Sequence, residues 1–236
     1  MDVQRVINFS GGKTSALMTI LLKPTDNDIV LFTDTGREHP LTYKFIDDFE
    51  INEGIRVHKI AYEGGYEAMV RKGKFLPNQQ MRICTVELKI KTAKRWLRDL
   101  GIQKFESYIG FRADEERRVK GYKQYHKKVT PKFPLFDMGI KKEDVQQYWL
   151  SKDYTLNVPS ILGNCDLCFL KGKGAIITIL QHYPELADKW IADEEAIGAT
   201  YFKDVSYKQL LDMAQKQLSL FDLDKQLPAY GCSCTS

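Results

Sequence analysis

The 236-residue sequence lacks the features that mark several special classes of protein. No apolar run approaches the length of a membrane span, and the N-terminus does not have the layout of a signal peptide. We therefore expect a cytoplasmic protein with no membrane partner. In that reducing compartment the five cysteines are not expected to form a disulfide framework, which favours metal binding or catalysis. Internal repeats and low-complexity segments are also absent.

A strong charge imbalance is missing as well. Lys and Arg total 35 against 31 for Asp and Glu, which gives a formal net charge of +4. This excess is too small to indicate nucleic-acid binding by itself, but it is compatible with an anionic small molecule or a weak nucleic-acid surface. The hydrophobic fraction of 43% and the charged fraction of 28% are ordinary for a globular protein.

Short apolar segments alternate with helical stretches in the first half of the chain. This alternation predicts an α/β fold with a doubly wound, mostly parallel sheet. Ligands of such sheets bind beyond the carboxyl ends of the strands, so the loops after these segments should converge on one cleft. The four predicted strands cover residues 3–9, 28–32, 55–61 and 107–111.

The pattern changes after about Lys120, where Pro131 and Pro134 interrupt it. Helical stretches dominate from there to about residue 218. We divide the chain into an α/β domain at residues 1–135, a helical part with a cysteine-containing loop at 136–218, and an irregular tail at 219–236.

A glycine-rich segment, Ser10-Gly11-Gly12-Lys13-Thr14-Ser15, directly follows the first predicted strand. Glycines permit dihedrals that aim successive N–H groups inward, and the following helix adds the positive end of its dipole. Hydroxyl groups and Lys13 add further donors, and Gly12 is expected to hold a special dihedral. The segment therefore predicts an anion site, with an ordinary strand-to-helix turn as the alternative. It lacks the spacer of a Walker A motif.

This segment resembles the PP-loop of the adenine nucleotide α-hydrolase superfamily, usually written Ser-Gly-Gly-x-Asp-Ser, with Thr14 in place of Asp. Further motifs resemble the phosphoadenosine phosphosulfate (PAPS) reductase family over roughly residues 3–170. In chain order they are Phe32-Thr-Asp-Thr-Gly36, Cys84-Thr-Val-Glu-Leu-Lys89, Gly110-Phe-Arg-Ala-Asp-Glu-Glu-Arg-Arg118, Pro134-Leu-Phe-Asp137 and Lys142-Glu-Asp-Val-Gln-Gln-Tyr-Trp149.

The resemblance implies roles for individual residues. Besides the PP-loop, Asp34, Thr35 and Gly36 would contact the nucleotide. Arg112 and Arg118 would grip phosphate or sulfate oxygens through bidentate forks, and Lys89 would add a point charge. The alternative for the two arginines is a solvated basic turn with Asp114, Glu115 and Glu116 as partners.

The cysteines form a second candidate site. Cys165-Asp-Leu-Cys168 brings two thiolates close together, and Cys84 and a tail cysteine could join them. Zinc and iron–sulfur clusters both accept such sets, and buried, inert cysteines are the alternative. The resemblance favours a [4Fe–4S] cluster with Cys84, Cys165, Cys168 and Cys232 as ligands. Thr85 stands where related reductases have a second adjacent cysteine.

The reaction is left open between three hypotheses. PAPS and adenylyl sulfate (APS) reductases end in Glu-Cys-Gly-[Ile/Leu]-His, whose cysteine attacks sulfur; this tail reads Tyr230-Gly-Cys-Ser-Cys-Thr-Ser236 and offers Cys234 as a nucleophile. The complete Ser-Gly-Gly is similar to the ATP-cleaving branch, so we favour an ATP-dependent, cluster-assisted sulfurtransferase. The alternatives are an oxidoreductase that forms sulfite from APS or PAPS, and a non-catalytic nucleotide- or nucleic-acid-binding module.

The cofactors and partners follow from the resemblance. We expect an adenine nucleotide (ATP, APS or PAPS), a [4Fe–4S] cluster or alternatively zinc, and Mg²⁺ as a further candidate. The sulfur acceptor is expected to be tRNA, DNA or a small molecule, and a second protein would donate sulfur or electrons. A homo-oligomer is compatible with these expectations.

Overall fold

The computed structural model describes residues 3–123, 127–163 and 165–216. Its strands are β1 (Gln4–Asn8), β2 (Ile29–Asp34), β3 (His58–Ala61), β4 (Phe105–Tyr108) and β5 (Val129–Lys132). Its α-helices are α1 (Lys13–Leu22), α2 (Pro40–Glu53), α3 (Gly65–Gly73), α4 (Thr92–Asp99), α5 (Glu116–Lys120), α6 (Pro134–Asp137), α7 (Lys142–Leu150), α8 (Lys173–His182), α9 (Ala187–Ile197) and α10 (Tyr207–Lys216). A π-helix covers Thr85–Lys91, directly before α4.

The five strands of the described residues form one sheet in the order β3-β2-β1-β4-β5, and all four pairings are parallel. This confirms the predicted α/β class and the parallel, doubly wound sheet. The chain runs outward from β1 to β3 and then returns to place β4 on the other side of β1. The strand order therefore reverses between β1 and β4, and in such sheets this crevice is the usual ligand site.

The strand predictions were wrong in three details. The third strand begins at His58 rather than at residue 55. The fourth strand covers Phe105–Tyr108 rather than residues 107–111, and the fifth strand, Val129–Lys132, was not predicted. Pro131 suggested a break, yet it pairs in register with Ser107. The strand tolerates proline because β5 lies at the edge of the sheet that the described residues form, where none of them needs the missing N–H on its outer side.

Helices cover both faces of the sheet. On one face Phe9 of the loop after β1 packs with α1, α2 and α7, whose buried side chains include Phe45, Phe49 and Trp149. On the other face Leu97 of α4 packs against Val6 and Leu31. The apolar strands are thus buried on both sides, as expected for a parallel sheet.

The C-terminal helices α8, α9 and α10 form a second core around Trp190 and Tyr207. Tyr66 and Val70 of α3 and Leu88 of the π-helix belong to the same core, so α3 and the π-helix pack on the helical part. The predicted domain boundary at residue 135 stays a prediction. In the part of the chain that the structure describes, no helix is both long and apolar enough to cross a membrane.

Candidate functional site

The glycine-rich loop after β1 has a conformation that depends on Gly11. This residue has φ +74°, and a Cβ atom there would lie 2.6 Å from Cγ2 of Thr42 on α2. Gly12, expected from the sequence to hold the special dihedral, instead has an extended backbone with φ −108° and ψ 158°. The expectation for Gly12 was therefore wrong, and Gly11 is the position where only glycine fits.

Hydrogen bonds from side chains fix the conformation of this loop. The Ser15 hydroxyl accepts a hydrogen bond from the Ser10 backbone N–H and donates to the carbonyl of Gly12, both at 3.0 Å. Trp149 on α7 donates its indole N–H to the carbonyl of Lys13 at 2.9 Å. The sequence motif that contains Trp149 was recognised, but its contact with the loop was not foreseen.

Lys13 is the first residue of α1. Burial lowers the pKa of its side chain, because the charged ammonium is less well solvated there. An anion bound at this helix N-terminus would meet both the exposed backbone N–H groups and this ammonium.

The segment after β4 contacts the loop after β1 directly. Nη1 of Arg112 donates to the Thr14 hydroxyl at 3.5 Å. A Cβ atom on Gly110 would lie 3.5 Å from Cα of Ser15, so the two segments are in close contact. Since β1 and β4 are neighbours, these two loops flank the crevice where the strand order reverses.

Acidic side chains hold both arginines of this segment. Arg112 forms a two-point contact with Asp114, with Nε and Nη2 each 3.0 Å from a carboxylate oxygen. Arg118 pairs with Glu115 and lies over the ring of Phe111, with Cζ 4.1 Å from the ring centroid. Of the acidic partners named in the alternative interpretation, Asp114 and Glu115 contact these arginines, whereas Glu116 pairs with Lys120. Asp114 and Glu115 also fix two guanidinium groups beside the crevice.

The turn after β2 is fixed by Tyr43, a residue that the sequence analysis missed. The Tyr43 hydroxyl and the Gly36 backbone N–H both donate to Oδ1 of Asp34 at 2.8 Å. Burial and the hydrogen bond to Asp34 raise the pKa of Tyr43. The phenol therefore stays protonated and orients the carboxylate at the carboxyl end of β2.

The Cys-x-x-Cys loop packs against this same turn. Glu38 and Cys165 form an antiparallel β-bridge, and the backbone N–H of Asp166 donates to the carbonyl of Arg37 at 3.3 Å. Oγ1 of Thr35 lies 3.8 Å from Sγ of Cys165. Two motifs that are 130 residues apart in sequence are therefore adjacent in the fold.

The three described cysteines share one region of the molecule. Cys84 and Cys165 are half-buried and pack against the same C-terminal core, and Cys168 is buried. Among the described residues, however, no three side chains of Cys, His, Asp or Glu form a group that could hold a metal ion. Cys232 and Cys234 lie outside the described residues. The described thiols alone thus do not complete the predicted ligand set.

Lys89 lies in the π-helix Thr85–Lys91, which begins directly after Cys84 and packs against β2. Its side chain is half-buried. Short π-helical segments often occur at functional sites, because the wider turn re-aims side chains that an α-helix would place elsewhere. The sequence analysis did not foresee this local geometry.

Arg37 is the second residue that the sequence analysis missed. Its side chain is 1% exposed, and Nη2 contacts Asp193 at 2.7 Å and Glu67 at 3.0 Å. The guanidinium also lies over the rings of Tyr66 and Trp190, at 4.7 and 5.1 Å. Nε and Nη1 have no hydrogen-bond partner among the described residues. Its position after Asp-Thr-Gly was the only signal in the sequence.

The fold and these loops define a doubly wound α/β protein with a glycine-rich loop at the point where the strand order reverses. The sequence profile of the phosphoadenosine phosphosulfate reductase domain matches residues 4–158, and the chain belongs to this family.

Two curated relatives and one solved structure are similar to this chain. An uncharacterized nin region protein of Escherichia phage lambda is 27% identical over 201 residues, which cover 70% of this chain and 66% of that protein. An uncharacterized protein of Methanocaldococcus jannaschii is 29% identical over 200 residues, which cover 78% of this chain and 40% of that protein. The chain thus spans less than two thirds of the length of either relative.

The crystal structure of phosphoadenylyl-sulfate reductase from Candida auris, in a phosphate complex, superposes with a TM-score of 0.50. It is 16% identical, and the match covers 66% of this chain and 76% of that chain. This likeness supports the fold.

Proposed function

We propose that this protein binds an adenine nucleotide at the Ser10–Ser15 loop and uses it in sulfur chemistry, as an ATP-dependent sulfurtransferase that releases AMP and pyrophosphate. The observation that carries the proposal is the contact between Arg112 and Thr14. This contact supports the proposal because the guanidinium lies beside the glycine-rich loop, and doubly wound sheets bind their ligands in this crevice.

The proposed roles follow from this geometry. The backbone of Gly11 and Gly12, the hydroxyls of the loop and the Lys13 ammonium would bind phosphate oxygens at the N-terminus of α1. Arg112 and Arg118 would exchange part of their carboxylate contacts for phosphate contacts. Asp34, oriented by Tyr43, would face the ribose or the adenine, together with Thr35 and Gly36. Lys89 would contribute a point charge, and Mg²⁺ remains a candidate counterion.

In the proposed reaction a carbonyl oxygen of the acceptor attacks the α-phosphorus of ATP, and pyrophosphate leaves. A sulfur nucleophile then displaces AMP from the activated carbon. The cations beside the loop would stabilise the negative charge that develops on the phosphate oxygens. The complete Ser-Gly-Gly sequence favours this reaction. The acceptor, whether tRNA, DNA or a small molecule, and the protein that donates sulfur belong to the same proposal.

Reduction of APS or PAPS is the second candidate, and the family membership favours it. There a thiolate attacks the sulfur of the nucleotide, forms an enzyme-bound thiosulfonate and releases AMP or adenosine 3′,5′-bisphosphate; a reductant then frees sulfite. Cys234 is the proposed nucleophile and lies outside the described residues. A binding module without catalysis is the third candidate, because Thr14 replaces the usual Asp of the loop.

The proposed [4Fe–4S] cluster, or alternatively zinc, would use Cys84, Cys165 and Cys168. The thiol donor set suits either group. The described residues do not form a group of three side chains that could hold a metal ion. The proposal therefore requires a fourth ligand and a shift of the Cys-x-x-Cys loop that brings its thiols closer to Cys84. Cys232 is the proposed fourth ligand.

Nucleotide titration followed by product analysis tests the proposed function. Isothermal titration of the full chain with ATP, APS, PAPS and AMP should show binding of at least one of them. Pyrophosphate release from ATP would support sulfur transfer, whereas sulfite release from APS or PAPS would support the reductase. Binding without release of either product would support the third candidate, a binding module without catalysis. If none of the four nucleotides binds, the proposed nucleotide site is wrong.

A further inference from the structure

A basic groove lies at the amino ends of β4 and β5, whereas the glycine-rich loop lies at the carboxyl end of β1. The groove has a volume of about 500 Å³, and five cationic side chains line it. They are Lys91, Lys94, Arg95, Arg98 and Lys128. Every charged residue that the structure places along this groove is basic. This groove has no part in the proposed nucleotide chemistry.

The four cations before residue 100 occupy one face of a helix. Lys94, Arg95 and Arg98 belong to α4, and Lys91 is the last residue of the π-helix that continues into it. The spacing i, i+3, i+4 and i+7 places side chains on one side of a helix. Lys128 lies across the groove, directly before β5.

Ion pairs do not explain the concentration of charge on the helical segment that carries Lys91, Lys94, Arg95 and Arg98. Lys94 and Arg95 contact no acid within the described part of the chain. Lys91 pairs with Glu87 at 2.6 Å, and Arg98 lies 3.6 Å from Asp99, but both cations are more than half exposed. Exposed pairs of this kind contribute little, so these cations stay available to an external anion.

The five groove cations account for the whole net positive charge of the chain. The formal net charge is +4; without the five groove cations it would be −1. The helix dipole gives a reason for a cation at Arg98, in the last turn of α4, but none for Lys94 or Arg95. These cations repel one another, yet they are concentrated on one surface. Such a concentration of basic side chains is typical of a site that binds a polyanion.

The floor of the groove is apolar. Ile102 and Val129 are half-buried, and Phe105 lies beneath them with 8% exposure. An apolar surface between cations suits a ligand that carries regularly spaced phosphates and also has apolar faces. A nucleic-acid strand has both.

The position of the groove separates it from the nucleotide site. Phe105 and Val129 begin β4 and β5, so the groove lies at the amino ends of these strands. The Ser10–Ser15 loop follows the carboxyl end of β1. The two places therefore lie at opposite ends of the strands, which are roughly 13 Å long for four residues.

We propose that this groove binds the phosphodiester backbone of a single-stranded nucleic acid, without reading its sequence. One concave groove accommodates one strand, and long lysine and arginine side chains contact phosphates whatever the bases are. The site is independent of the reaction at the glycine-rich loop.

The test measures the salt dependence of binding. A short fluorescein-labelled single-stranded oligonucleotide is titrated with the full chain, and anisotropy is followed at increasing salt. With five phosphate contacts the slope of log K against log salt should be about −3.5, since each contact contributes about −0.7. Lys94→Gln/Arg95→Gln should reduce the magnitude of the slope by about 1.4 and weaken binding about 25-fold near 0.1 M salt. Lys128→Gln, from the other wall, should reduce it by about 0.7.

Two further variants test whether binding depends on the position of the cations, rather than on the total charge of the protein or on the choice between lysine and arginine. Lys189→Gln/Lys208→Gln removes the same charge from exposed positions on α9 and α10 and should leave the slope nearly unchanged. Lys94→Arg/Arg95→Lys keeps the charge and should keep the affinity. Thermal unfolding and ATP titration should be the same for all variants, which also separates this site from the proposed nucleotide site.

Several results would overturn the proposal. The groove variants could bind like the unmodified protein, or the control on α9 and α10 could lose as much affinity. Displacement of the oligonucleotide by inorganic phosphate at equal phosphate concentration would show a small-anion site instead. If the unmodified chain binds no single-stranded oligonucleotide at low salt, the proposed nucleic-acid site is excluded.

Discussion

The guanidinium of Arg37 lies 2.7 Å from the carboxylate of Asp193, and both side chains are almost fully buried. Arg37 belongs to the turn after β2, whereas Asp193 is on α9 of the C-terminal helices. The pair therefore joins the two cores of the molecule. It also fixes the Cys-x-x-Cys loop, because Asp166 donates its backbone N–H to the Arg37 carbonyl and accepts from the indole of Trp190.

We predict that Asp193→Ala lowers the free energy of unfolding by about 3–5 kcal/mol, because it leaves a buried cation without its main partner. Urea denaturation measures this loss. Asp48→Ala breaks the exposed pair with Lys44 and is the matched control, with an expected cost of at most about 0.5 kcal/mol. Equal effects of the two substitutions would show that the Arg37 pair does not stabilise the fold.

The two glycines of the loop should respond differently to alanine. Gly11→Ala places a Cβ atom 2.6 Å from Thr42 and strains a left-handed residue, so it should cost at least about 1–2 kcal/mol and weaken nucleotide binding. At Gly12 the nearest atom, Oγ of Ser10, is 3.7 Å away, so alanine should fold normally. Urea denaturation and ATP titration of both variants check this. A Gly12→Ala protein that is the less stable of the two would contradict the geometry.

Substitution of Arg112 or Arg118 by alanine should weaken nucleotide binding by about 1.5–3 kcal/mol, the range for hydrogen bonds to charged groups. Lysine should substitute poorly, since it loses the planar fork. Titration with the nucleotide that binds the unmodified protein measures both effects. If both alanine variants bind and turn over normally, the acidic partners explain these arginines completely, and the segment is a basic turn.

Nucleotide affinity should fall as the pH rises through the pKa of Lys13. Burial lowers this pKa in the free protein, and a bound phosphate would favour the charged ammonium and raise it again. Binding then takes up a proton, so affinity decreases with increasing pH in this range. Lys13→Arg stays charged and should remove this part of the pH dependence. Identical pH profiles of the two proteins would exclude contact between Lys13 and phosphate.

Protein purified without oxygen should be brown and contain iron and sulfide if the cysteines hold a cluster. Cys165→Ser or Cys168→Ser should remove the visible absorption and lower stability, because binding energy of the cluster is also folding energy. Removal of the residues after Tyr230 should destabilise the cluster if Cys232 is a ligand, and should stop turnover alone if the tail supplies only a nucleophile. A colourless protein with one tightly held zinc ion would refute the cluster.

The sequence determined the parts of this protein that depend on local patterns. Alternating apolar strands and helices predicted the parallel α/β sheet, because burial on both faces requires nearly continuous apolar strands. Ser-Gly-Gly between two apolar segments predicted a glycine-rich turn from a strand into a helix, and the order of the later motifs predicted the family. These features are encoded within short stretches, so no distant contact is needed to recognise them.

The tertiary structure decided what depends on long-range neighbours. Pro131 fits in a strand only because β5 is an edge, and Gly11 rather than Gly12 is constrained because Thr42 lies beside it. Arg37 is buried only because α9 brings Asp193 to it, and Cys165 reaches Thr35 across 130 residues of sequence. The basic groove likewise needs α4 and the start of β5 to lie together. Such contacts arise from packing between distant segments, which no local pattern records.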